Sequence, residues 1–182
     1  MKALSGLAVG LVAFVMLAGC ASRRDALWAP SPPQARLVEY TAQRLELSRE
    51  VAWFKYREGL RVKDRKREKE RLGVLVADGR RLGVPTGRTR GYFKAQMRAS
   101  RTYQQILISG WQRGGALPTQ PARDLKKVLR PQIEQLDAGI LAQLAATGDS
   151  SRDARLARRA ETYLKAREIP QRVIRTAIAP LR

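Results

Sequence analysis

The strongest constraint on the fold is a run of three- and four-residue apolar spacings, cut at intervals by glycine and proline, with no alternating stretch long enough for a strand. The first segment carries Leu37, Tyr40, Leu47, Val51 and Phe54 on one helical face and stops at Gly59, predicting a helix over 33–58. Asp64 is a good N-cap for a second helix that runs to Leu82 before Gly83, with Leu72, Leu75, Val76 and Leu82 as its apolar side. A third is predicted over 89–112, burying Tyr92, Phe93, Gln96, Met97, Tyr103, Ile106 and Leu107. A fourth, over 122–146, contains Pro131, which should kink or break it. Shorter helices follow over 151–167 and 171–179. The expected fold is therefore all-α, a bundle of five to six helices, three long ones first.

The N-terminus predicts export. Lys2 precedes an apolar stretch from Ala3 to Ala18, the pattern of a signal peptide over 1–19. Leu17-Ala18-Gly19-Cys20 resembles a bacterial lipobox, which makes Cys20 the expected lipidation site. Acyl chains contribute about 0.8 kcal/mol per buried methylene, so several of them make a stable membrane tether. Ala21 is not the aspartate that marks inner-membrane retention, so a periplasmic protein anchored to the outer membrane is expected. Residues 20–35 read as the lipidated cysteine and a Pro- and Ser-rich tether, and 36–182 as the folded domain.

Composition narrows the chemistry. The chain has no histidine, and Cys20 is its only cysteine. A Ser/His/Asp triad, a Cys/His dyad and the usual zinc and haem centres are all excluded. With 36 Lys and Arg against 16 Asp and Glu, the net charge is +20, which calls for an anionic partner. Nucleic acid is one such partner, and Arg152, Arg155, Arg158 and Arg159 could track phosphates. The signal peptide argues against it, and no nucleic-acid-binding module is evident.

Several polar residues fall where a core face is expected. Arg44 and Lys55 are eleven residues apart, three turns plus a small angle, so they point the same way, beside the apolar stripe, with Ser48 and Val51 between them. A cation there costs several kcal/mol unless an anion meets it. Asp64, Arg67, Glu68 and Arg71 share a face of the second helix, and Ser100 and Gln104 share one of the third. Taken in order, with RLELSREVAWFK (44–55), VKDRKREKERL (62–72) and FKAQMRASRTYQ (93–104) around them, these residues resemble the active-site series of AroQ-class chorismate mutases. Trp111 is similar to the exported, or gamma, subclass, and a weaker likeness resumes at DLKKVLRPQI (124–133).

That resemblance implies an isomerase converting chorismate to prephenate with no cofactor and no metal. It implies Arg44 and Arg130 as carboxylate clamps, Arg130 being supplied by the same chain. It implies Lys55 and Gln104 as donors to the ether oxygen, Glu68 as acceptor of the ring hydroxyl, Asp64 and Arg67 as ordering residues, and Ser100 as a further carboxylate contact. A homodimer is also implied. Because Gln104 is an amide, turnover should be flat through neutral and mildly alkaline pH. Arg71 departs from the family pattern, with two readings open: it points to solvent, or it alters substrate affinity. A catalytically inactive envelope lipoprotein on the same fold is the rival reading.

Overall fold

The computed structural model describes residues 29–182. Among them are six α-helices and no strand: α1 Pro32–Arg57, α2 Arg65–Arg81, α3 Thr86–Gln112, α4 Arg130–Thr147, α5 Ala154–Lys165 and α6 Gln171–Ile178. A π-helical turn, Leu125–Leu129, leads into α4, and 3₁₀ turns occupy Gly148–Ser151 and Ala179–Leu181. The expected signal peptide, the lipobox with Cys20 and most of the tether lie outside the described residues. No helix among the described residues is long and apolar enough to cross a membrane.

α1 is the central helix, packed along α4 on one side and α3 on the other. Its entry is fixed locally, where the Ser31 backbone N–H donates to Gln34 Oε1 at 2.8 Å and Gln34 Nε2 reaches the Ser150 carbonyl at 2.7 Å. The face it buries runs through Leu37, Thr41, Leu45, Ser48 and Ala52. Tyr40, Leu47 and Phe54, expected as core, are only half-buried. Two polar residues interrupt the real stripe and hide it from apolar periodicity. α6 packs on α3 and α5, and its Val173, Ile174, Ala177 and Ile178 are fully buried in the main core. α5 and α6 thus seal the bundle, leaving α1 to α4 to build a site.

Several expected boundaries shift for local reasons. α3 starts at Thr86 rather than Thr89, directly after Pro85, whose fixed φ suits a helix entry. α5 starts at Ala154 rather than Ser151, because Asp153 is extended and its side chain caps the Arg155 N–H at 2.7 Å. Leu82 and Ile106, predicted as core, are 49% and 39% exposed. Leu82 has left the helix as its C-cap, and Ile106 sits at the edge of the α3 stripe.

The break predicted at Pro131 takes a specific form. Pro131 has no N–H, and its ring crowds the preceding turn. The backbone widens before it: Leu129 N–H donates to the Asp124 carbonyl and Arg130 N–H to the Leu125 carbonyl, both five residues back. The helix predicted from Ala122 is therefore a loop, a π-turn capped by Asp124, and then α4. Leu125 and Leu129 pin this turn to Val51 of α1, with Leu47, Phe54 and Ile133 around them.

α2 and α3 approach closely at Gly79. A Cβ there would lie 2.5 Å from Thr89 Oγ1, so only glycine fits the crossing without a shift. This contact sets the angle at which α2 presents its polar face to α1, α3 and α4.

Candidate active site

A cavity of about 690 Å³ opens between α1, the α1–α2 loop, α2, α3, the π-turn and α4. All eight residues expected at the site line it: Arg44, Lys55, Asp64, Arg67, Glu68, Ser100, Gln104 and Arg130. They come from one chain. Leu125, Val51, Met97 and Ile133 supply its apolar wall.

Arg44 is 6% exposed, and its required counter-ion is Asp137 of α4, fully buried at 2.7 Å from Arg44 Nε. Arg44 also donates through Nη1 to Ser100 Oγ at 3.0 Å, and Ser48 Oγ lies 2.9 Å from Ser100 Oγ. The other oxygen of Asp137 accepts from Arg71 Nε at 3.0 Å. Arg71 therefore turns inward to the cavity, which decides between its two readings against solvent.

Lys55 Nζ donates to the Val62 carbonyl at 2.7 Å and to Gln104 Oε1 at 3.1 Å. An ammonium has three N–H bonds, so one remains for a ligand. Because Gln104 uses its oxygen on Lys55, its amide N–H groups are the atoms left to meet an acceptor. Desolvation by burial pushes the Lys55 ammonium below the usual lysine range, opposed by Asp64 and Glu68 and assisted by Arg130. Burial is also the main reason the Arg130 charge is less favourable than usual, with Arg67 adding repulsion and Asp64 and Glu134 relieving it. Arg130 thus lines the same cavity as Lys55 and lowers its pKa.

The mouth is held by exposed or half-exposed pairs. Asp64 caps α2 by accepting from the Arg67 N–H at 3.0 Å, Arg67 Nη2 pairs with Glu134 at 3.2 Å, and Glu68 pairs with Arg101. Exposed pairs of this kind contribute about 0–1 kcal/mol and exchange partners readily. The cavity is therefore rigid and cationic at Arg44 and Lys55, and looser where Asp64, Glu68 and Arg67 meet solvent. Such a pocket can hold a small dianion in one conformer and aim donors at a third point on it.

Residues 35–105 match the family model of chorismate mutase type II. That segment is similar to the family over 71 of the 182 residues. A secreted chorismate mutase of Mycobacterium tuberculosis is 30% identical over 110 residues, 60% of this chain and 55% of the relative. A secreted chorismate mutase of Mycolicibacterium smegmatis is 27% identical over 113 residues, 62% of each chain. The matches thus span less than two thirds of these curated relatives. The crystal structure of a chorismate mutase from Burkholderia thailandensis superposes with a TM-score of 0.75 at 28% identity, covering 84% of this chain and all of that one.

The family match ends before the fourth helix, and two of the residues that sequence reasoning missed, Glu134 and Asp137, lie on that helix. Asp137 was not among those expected. It was detectable: it stands three, four and seven residues before Ile140, Leu141 and Leu144, an aspartate on an otherwise apolar face. Glu134 and Arg101 were missed because single charges on polar helix faces carry no such signal. The Val62 carbonyl that anchors Lys55 is a backbone group and has no signature at all.

Proposed function

We propose that this pocket binds chorismate and rearranges it to prephenate. The observation that carries the reading is the convergence of Arg44, Lys55, Gln104 and Arg130 on one cavity in a chain with a chorismate mutase type II segment. In the reaction one ether C–O bond breaks as one C–C bond forms, and no proton is transferred. The chemistry needs no histidine or thiol, which suits a domain without either.

Arg44 and Arg130 take the two carboxylates, since a planar guanidinium matches a carboxylate through paired N–H bonds. Ser100, already in contact with Arg44, adds a polar contact at that end. The third Lys55 N–H and the Gln104 amide meet the ether oxygen as negative charge grows on it. Donors already fixed before the reaction need no reorganisation during it, and each contributes roughly 10²–10³ in rate. Glu68 accepts the ring hydroxyl by exchanging its partly buried partner Arg101, while Asp64 and Arg67 order that side. The excess of cations around the mouth steers a dianion inward.

The same reading includes export by residues 1–19, supported by the N-terminal pattern and by relatives described as secreted, and a lipid tether on Cys20, supported by the N-terminal pattern alone. Two copies are expected to pair, although one chain lines the whole pocket.

The test is the fall in chorismate absorbance with the purified full chain, repeated with Lys55→Ala. Turnover that drops at least about a hundredfold in the variant supports the reading. A folded wild-type chain without turnover refutes it and favours an inactive envelope protein. For the tether, Cys20→Ser should release the chain from the membrane fraction, and unchanged membrane association would contradict lipidation at that position.

A further inference from the structure

Arg71 and Asp137 have no task in the reaction as described, yet they hold one wall of its pocket. Both oxygens of Asp137 are committed, one to Arg44 Nε at 2.7 Å and the other to Arg71 Nε at 3.0 Å. Asp137 is fully buried, Arg44 nearly so, and Arg71 one-fifth exposed.

A lone Arg44–Asp137 pair would be neutral and would satisfy the need of a buried cation for a counter-ion. The second guanidinium spoils that balance, leaving two positive groups on one carboxylate. Structural economy gives no reason for it, whereas an incoming anion does. Each arginine also gives Asp137 its Nε, the nitrogen nearest the side-chain stem, which leaves the terminal nitrogens for other partners. Arg44 spends one on Ser100. Arg71 makes with its own only a 3.5 Å contact to the Glu134 carbonyl.

We propose that Arg71 is a third ligand-binding arginine and that Asp137 is the positioning residue which sets Arg44 and Arg71 side by side. Together they grip the carboxylate assigned above to Arg44. This rests on chorismate, a dicarboxylate, being the ligand. The contact is made to a carboxylate whose charge does not change in the rearrangement, so the effect falls on ground-state and transition-state binding alike. It therefore belongs in KM and not in kcat.

The experiment compares wild type, Arg71→Gln and Arg71→Lys as full chains, measuring KM and kcat for chorismate together with Tm. A charge-assisted contact of this kind is expected to raise KM about ten- to a hundredfold in R71Q with kcat within about threefold of wild type. R71K keeps the charge but not the fork, so its KM should fall between the two. An unchanged KM in R71Q, with or without a lower Tm, would overturn the assignment and leave Arg71 a structural counter-ion. Full recovery of KM in R71K would also overturn it, since any cation near Asp137 would then suffice. Wild-type turnover separates these outcomes from failure of the functional reading, which would show as no turnover in any of the three.

Discussion

Gln104→Glu is the most informative single exchange, because it keeps the side-chain shape and changes only what one atom can donate. Gln104 is 7% exposed, and its oxygen accepts from Lys55 Nζ at 3.1 Å. The amide N–H that meets the ether oxygen becomes a carboxyl oxygen, which donates only when protonated. The neighbouring ammonium favours the ionised form: opposite charges about 4 Å apart attract by about 4 kcal/mol at an effective dielectric of about 20. Burial opposes this but leaves the carboxylate ionised at neutral pH. The variant should then be roughly 10²–10³ slower than wild type at neutral pH, the worth of one donor to a developing oxyanion. Protonation restores the donor, so activity should rise about tenfold per unit as pH falls towards the carboxyl's pKa. Wild type should be flat over the same range. The assay is kcat/KM from chorismate absorbance at constant ionic strength between pH 4 and 9. A Gln104→Glu variant with the wild-type rate and a flat profile would refute Gln104 as the donor.

Other outcomes follow from the same geometry. Lys55 is held below the usual lysine range by burial, so its charge is lost as pH rises through that lowered value; kcat/KM should fall there. A bound dianion raises that value again, so kcat should fall at higher pH than kcat/KM, and coincident limbs would contradict Lys55 as the essential cation. Asp137→Asn removes the counter-ion of two arginines and should cost about 3–5 kcal/mol in urea unfolding of the unliganded chain; a loss below about 1 kcal/mol would contradict its role. Gly79→Ala improves helix propensity yet should destabilise by about 1–3 kcal/mol, because the new Cβ meets Thr89 Oγ1 at 2.5 Å; a higher Tm would mean the crossing relaxes freely.

Much of this was legible in the chain itself, for reasons that differ by element. The helices announced themselves through Gly59, Gly83, Asp64 and the apolar steps between them. The site residues on α1, α2 and α3 were legible because their order and spacing resemble one family. What escaped depended on packing across elements. The apolar stripe of α1 is interrupted by Thr41 and Ser48, so a periodic reading chose Leu47 and Phe54 over Leu45 and Ala52. The π-turn arises from Pro131 acting on the turn before it, together with the apolar contact of Leu125 and Leu129 on Val51. Pattern alone gives the break but not its direction. The buried Arg44 demanded an anion, and the sequence stated that need; only the fold supplies Asp137 as the answer, 93 residues away. Arg71 was recognised as a departure, and its meaning depended on which way α2 turns it.

The most direct measurement is a crystal structure of the full chain with a bicyclic dicarboxylate ether that mimics the rearranging substrate. The expected result has its carboxylates on the guanidinium groups of Arg44 and Arg130, with Arg71 closing on the first. Its ether oxygen should lie within hydrogen-bond reach of both Lys55 Nζ and Gln104 Nε2. A mimic bound elsewhere on the bundle, or seated in this cavity with its ether oxygen away from Lys55 and Gln104, would contradict the proposed chemistry.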